Sequence, residues 1–164
     1  MLVVISSPSG AGKTSLIKNI LSHAETNGYK VHLTLSHTTR IPREGEIDGV
    51  DYCFIDEKTF LENINNEVYV EYARVHGNLY GTPKDAIDSF LADDFIVIME
   101  IDWQGAQQIQ SVRPSAISIF IVPPNVQELE NRLRKRAKDS EATISNRLSQ
   151  ATSDMSKAKN YDYI

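Results

Sequence analysis

Leu2-Val3-Val4-Ile5-Ser6-Ser7-Pro8-Ser9-Gly10-Ala11-Gly12-Lys13-Thr14-Ser15-Leu16-Ile17 joins a short apolar run to a stretch of helical spacing through a turn of small residues. The turn matches G-x-x-x-x-G-K-[ST] except at its first position, where Ser7 stands in place of Gly. Glycine at positions 10 and 12 lets the backbone fold its N–H groups around phosphate oxygens, Lys13 reaches the outer phosphates, and Thr14 offers a hydroxyl to Mg²⁺. Ser7 is tolerated if the turn needs no left-handed residue there, and Pro8 already stiffens the approach. Strand, loop and helix in this order predict an α/β fold that binds a nucleoside triphosphate.

The rest of the chain supports that class. Four apolar runs, at 2–5, 31–35, 95–101 and 116–122, alternate with helical patterns, as in a parallel sheet covered by helices. Between the second and third runs, 50–55 and 68–72 alternate apolar with polar residues, which predicts a small inserted subdomain of antiparallel strands. After Pro123-Pro124, Asn125 and Glu128 are spaced as an N-cap and its third helical residue, opening a helix whose inner face holds Val126, Leu129 and Leu133. A second helix carries Ile144, Leu148, Ala151 and Met155 inward.

At 164 residues, 41% of them hydrophobic and 24% charged, the chain is sized for a single globular domain. Its net charge of −5 argues against a nucleic-acid groove, so the arginines serve a smaller anion. No run approaches the roughly 20 apolar residues that cross a bilayer. Cys53 is the only cysteine and Met1 directly precedes the first apolar run, so no disulfide and no leader are expected, and the expected setting is the cytoplasm. His23, His32, His37 and His76 show no spacing of zinc ligands.

Ser36-His37-Thr38-Thr39-Arg40-Ile41-Pro42-Arg43-Glu44-Gly45-Glu46 follows the second run. Arg40 and Arg43, flanked by hydroxyls, suit a second phosphate-bearing molecule because guanidinium forks pair with phosphate and stay charged at any working pH. Tyr52 and Tyr80 add phenolic donors. Glu100 and Asp102 flank Ile101 and therefore point the same way at the carboxyl edge of the sheet, where ligands of such folds bind.

With S-P-S-G-A-G-K-T, S-H-T-T-R-I-P-R-E-G-E, G-V-D-Y-C-F, Y-V-E-Y-A, H-G-N-L-Y-G-T and E-I-D-W-Q-G-A in this order, the chain resembles the guanylate kinase family along its whole length. That resemblance implies a P-loop kinase core, residues 1–35, 83–124 and 151–164, carrying a small mixed α/β GMP-binding subdomain at 36–82 and a helical lid at 125–150. It implies Mg²⁺-dependent transfer of a phosphoryl group from ATP to GMP or dGMP in purine nucleotide metabolism. ATP would be held by Ser9, Gly10, Ala11, Gly12, Lys13, Thr14 and Ser15, with Mg²⁺ at Thr14 and Glu100 reaching it through water. Arg40, Arg43, Tyr52 and Tyr80 would grip the GMP phosphate, and Ser36, Glu71 and Thr82 would read the guanine. Glu100 and Asp102 would complete the GMP site, although Glu100 stands where the family pattern has Asp. Arg132, Arg136 and Arg147 would join Lys13 and Arg40 as catalytic cations, with Arg134 and Lys135 on solvated faces. Family members continue past Tyr163-Ile164 with a strand, an adenine-contacting loop and a closing helix; this sequence ends as that strand begins.

The chemistry of the pocket is consistent with guanine. Its N1–H and N2–H₂ edge suits a carboxylate such as Glu71, and its O6 suits hydroxyls such as those of Ser36 and Thr82, whereas adenine would leave the carboxylate badly paired. Two rival readings are a non-catalytic guanylate-kinase-like interaction module, which would ordinarily lack Lys13 and the loop glycines, and a related kinase of phosphosugars, which would have no use for Glu71. The two anionic substrates also predict closure of 36–82 and 125–150 over the core about Pro123-Pro124, Leu35 and Pro83, with the lid arginines away from Lys13 until the nucleotides arrive.

Overall fold

In the computed structural model the described residues are 1–136 and 141–164, and the side chains of 135–136 and 141–143 are outside that description. Strands β1 (Leu2–Ser6), β2 (Val31–Leu33), β7 (Ile96–Glu100) and β8 (Ile117–Phe120) form a four-stranded parallel sheet in the order β2-β7-β1-β8. They are the four expected apolar runs, the first extended to Ser6 and the other three shorter than expected. β1 is central and buried at every residue, which places the loop that follows it at the middle of the sheet's carboxyl edge.

Helices cover both faces. On one, Ile87 of α3 (Asp85–Ala92) and Ala106 and Ile109 of α4 (Trp103–Val112) pack on Leu2, Val4, Val97 and Met99. On the other, Ile17 of α1 (Lys13–Asn27) packs on Val3, Ile5 and Ile98. Alternate residues of one strand thus feed opposite cores, as the two-residue period of a strand requires.

A second sheet contains β3 (His37–Thr38), β4 (Cys53–Phe54), β5 (Tyr69–Val75) and β6 (Asn78–Pro83) in the order β4-β3-β6-β5. It is mixed rather than antiparallel throughout: β3 runs parallel to β4 and antiparallel to β6. The expected strand at 50–55 is reduced to Cys53–Phe54 because Asp48 and Gly49 form a turn. Gly49 has φ 76°, its N–H reaches the Tyr52 carbonyl, and the Asp48 carboxylate accepts from the Phe54 N–H. Helix α2 (Glu57–Asn65), capped by Asp56, buries Phe60 against Tyr69 and Leu79 and closes this small core.

Asn125 caps α5 (Val126–Arg136) as expected, its side chain accepting from the Glu128 N–H at 2.8 Å, a cap of about 1 kcal/mol. Leu129 and Leu133 are buried with Ala151 of α6 (Glu141–Met155), whereas Val126 is 52% exposed and is not part of that face. Tyr163 bridges in parallel to Ile119, and Asp162 accepts from the N–H and hydroxyl of Ser118 beside it.

Candidate active site

Gly10 and Gly12 have φ of 87° and 105°, left-handed values that a Cβ would penalise, and Ser7 lies outside that region. The substitution at the first motif position is therefore conformationally neutral. Gly12 starts α1 without any side-chain cap, and the first turn of that helix has no acidic residue. Its free N–H groups and the positive end of its dipole together make an anion site. Lys13 Nζ donates to the Ile101 carbonyl at 3.3 Å and stands 3.9 Å from Glu100 Oε1, which also accepts from Thr14 Oγ1 at 3.0 Å. Burial pulls the Lys13 ammonium below its ordinary pKa, while Glu100 and Asp102 oppose that fall.

This loop is one wall of a cavity of about 450 Å³ at the carboxyl edge of the parallel sheet. Arg40, Arg43, Tyr52 and Tyr80 line the wall contributed by the second sheet. Arg40 Nη2 forms a 2.8 Å ion pair with Glu46, and its guanidinium lies 5.5 Å from the centre of the Tyr52 ring. Burial works against its charge, but hydrogen bonds with Glu46 and Tyr80 raise its pKa overall. Glu46 also accepts from the Arg43 N–H at 2.7 Å, so one carboxylate orients the whole arginine turn. Glu46 carries no expected role from the sequence; a carboxylate three residues after one arginine and six after another is the signal that points to it. Burial, and then Glu100, push the Tyr52 phenol up to about 12, which keeps it a proton donor.

At the far end Glu71 is 3% exposed and accepts from Thr82 Oγ1 at 2.6 Å, and that hydroxyl is 3.0 Å from Ser36 Oγ. Burial lifts the Glu71 carboxyl to about 7 despite the bond from Thr82. Glu71 and Ser36 line the cavity, whereas Thr82 is fully buried behind them. The Thr82 hydroxyl links the other two, donating to Glu71 and lying within hydrogen-bond distance of Ser36.

Other expected residues divide. Glu100 and Asp102 both line the cavity, but Asp102 is the N-cap of α4, accepting from the Gln104 and Gly105 N–H groups at 3.1 and 3.0 Å. Ser9, Gly10, Gly12, Lys13 and Thr14 line the cavity, and Ala11 and Ser15 do not. Arg147 lines it from α6. Arg132 does not: its Nη1 donates to the Ala11 carbonyl at 2.9 Å and its Nε to Glu128 at 2.7 Å. Arg132 therefore touches the phosphate loop at Ala11. Leu129 and Leu133 close over Gly10 as well, so near that an added Cβ there would meet them at 3.2 and 3.1 Å. Arg134 pairs with Glu130 along the helix surface, as a solvated-face residue does. The side chain of Arg136, like that of Lys135, lies outside the described residues. Trp103 lines the cavity, with the Lys157 ammonium 4.9 Å from its ring centre.

Compared with known families, residues 1–164 match the one described as guanylate kinase. The chain belongs to the guanylate kinase family. It is 47% identical over 163 residues to the guanylate kinases of Methylobacillus flagellatus and of Escherichia coli K12, covering 99% of this chain and 79% and 78% of those proteins. Among solved structures it resembles guanylate kinase from Anaplasma phagocytophilum, with a TM-score of 0.76 and 32% identity over 99% of this chain and 74% of that one. A parallel sheet flanked by helices with a mixed sheet beside it is thus the guanylate kinase architecture, and the phosphate loop is a general property of that family. Among the described residues no helix is long and apolar enough to cross a membrane.

Proposed function

We propose that this chain transfers the γ-phosphoryl group of ATP to GMP or dGMP, giving ADP and GDP or dGDP. The observation that carries this reading is the single cavity in which Lys13 and Thr14 face Arg40, Arg43 and Tyr80, with Glu71 and Ser36 at its buried end. The first wall suits a triphosphate, the second a monophosphate, and the buried end a base with a donor edge.

In the proposed reaction an oxygen of the GMP phosphate attacks the γ-phosphorus in line as the bond from that phosphorus to the β–γ bridging oxygen breaks, leaving ADP. The attacking oxygen is already anionic, so no general base is needed, and the residues act by placement and by charge. Lys13 and the α1 N-terminus hold the donor phosphates, Arg40 and Arg43 the acceptor, and Tyr52 and Tyr80 donate hydrogen bonds to it. Arg147 supplies charge from the lid, Arg132 holds the loop through Ala11, and Arg136 is assigned the same lid role from its sequence position.

The Thr14 hydroxyl beside the Glu100 carboxylate is an all-oxygen donor set of the kind Mg²⁺ accepts, the rest of its shell coming from water and phosphate oxygens. Mg²⁺, when bound, neutralises charge on the transferred phosphate oxygens. Within this reading 36–82 is the acceptor subdomain and 125–150 the lid, both closing on the core 1–35, 83–124 and 151–164 to exclude water. A cytoplasmic setting is part of this reading and is supported by cysteine usage, Cys53 being the only cysteine of the sequence. A coupled assay offering GMP, dGMP, AMP and ribose 1,5-bisphosphate with ATP and Mg²⁺ tests the reading. Turnover with GMP and dGMP well above the other two is expected; no turnover with any of them, or a preference for AMP or the phosphosugar, would overturn it.

A further inference from the structure

Glycine at position 105 has no conformational excuse. It lies in the first turn of α4, is buried, and is not left-handed. Its N–H is committed to the Asp102 cap at 3.0 Å. What the position lacks is room. A Cβ built there would run into Glu71 Oε2, and it would stand 3.0 Å from Glu71 Cδ and 3.3 Å from Ile101 Cδ1. The obstruction is a buried carboxyl whose other oxygen is bonded to Thr82, which is itself bonded to Ser36, so it cannot swing away freely.

One turn further along the same face of α4, Gln108 makes a two-point contact with the strand that carries Glu71. Its Oε1 accepts from the Tyr72 N–H at 3.2 Å and its Nε2 donates to the Tyr72 carbonyl at 2.8 Å. Gln108 thus takes the place of a neighbouring strand on β5, fixing the distance between helix and strand at the residue next to Glu71.

We propose that Gly105 and Gln108 are positioning residues for Glu71: the bare α-carbon of one and the amide of the other set the carboxylate at the depth where it distinguishes guanine from adenine. The inference rests on the proposed reading of Glu71 as the guanine contact. Because neither residue reaches the phosphates, their effect falls on the GMP KM and on the choice of base, and not on ATP.

The test is steady-state kinetics of Gly105→Ala, Gln108→Ala, Glu71→Gln, Glu71→Asp and the double variant Gly105→Ala/Glu71→Asp, with GMP and AMP as acceptors. Gly105→Ala is expected to raise the GMP KM about tenfold or more and to lower the GMP-to-AMP ratio of kcat/KM similarly, with the ATP KM unchanged. Gln108→Ala, at a half-buried surface position, moves the same two quantities by a few-fold and keeps the inference testable should Gly105→Ala not fold. Shortening the acid by one methylene restores room, so the double variant is expected to lose less than the product of the two single losses. Independent losses, or a Gly105→Ala enzyme whose GMP and ATP constants change together, would overturn the positioning role and leave a packing role. If Glu71→Gln abolishes base preference while Gly105→Ala and Gln108→Ala keep it, only this inference fails. If Glu71→Gln keeps the native preference, the reading of Glu71 itself is wrong.

Discussion

The two ends of the cavity are built by different means. The phosphate loop is one contiguous stretch whose working parts are backbone N–H groups, two left-handed glycines and one lysine, open enough that Thr14 is exposed. The Glu71 end is made of side chains from the segment between β2 and β3 and from β5 and β6, with the bare α-carbon of Gly105 in α4 beside them, and Glu71 is 3% exposed. Charge held at an open helix N-terminus needs little from the tertiary fold. A carboxylate taken out of water needs every neighbour in place, and its proton affinity changes as a result.

The largest break in this comparison comes at the open end. Lys13→Ala should lower turnover on the order of a thousandfold, because it removes a cation aimed at charge that moves during transfer, with the fold retained by circular dichroism. Turnover within a few-fold of the native enzyme would remove Lys13 from the machinery. At the acceptor wall, Arg40→Met should cost on the order of a hundredfold in kcat/KM for GMP. Arg43→Met should cost less, since Glu46 fixes the Arg40 guanidinium but holds Arg43 only through its backbone. Equal losses would show that the Glu46 contact does not preorganise the clamp.

The buried end is sharpened by pH. With Glu71 lifted to about 7, its proton must leave before the carboxyl can accept from guanine N1–H and N2–H₂, so GMP binding should strengthen as pH rises through about 7. Glu71→Gln should keep only the titration of the GMP phosphate itself, and identical profiles in calorimetry would discount the carboxyl. Stability moves the opposite way. The folded chain holds this proton between the ordinary glutamate pKa and about 7, so the stability linked to Glu71 is complete below the ordinary value and is lost as pH rises through about 7. Thermal melts of the native protein and Glu71→Gln across that window should diverge. The smallest effect is expected from Thr82→Val, which removes the hydroxyl behind Glu71 and should destabilise the fold by about 1–2 kcal/mol, with a few-fold rise in GMP KM and none in ATP KM. A larger effect on ATP than on GMP would break the separation between the two ends.

Much of this was legible in the chain. The strand–loop–helix around Gly10 and Lys13 and the four apolar runs of the parallel sheet are local patterns, fixed by which backbone angles and which periodicity the residues permit. The Asn125 cap is equally local. The expected strand at 50–55 failed because the Asp48-Gly49 turn was stronger than the alternation around it. The full burial of Thr82 was not legible because depth cannot be seen along a sequence: alternation gives the face of a strand, not how many atoms lie above it.

The sequence by itself determined a phosphate-binding loop on an α/β core, because a glycine pattern and an apolar period act within a few residues of themselves. Only the tertiary structure decided that Glu46 orients the Arg40 turn, that Arg132 rests on the Ala11 carbonyl, and that Gly105 is empty so that Glu71 can stand beside it. Those relations depend on distances between elements far apart in the chain, and packing alone sets such distances.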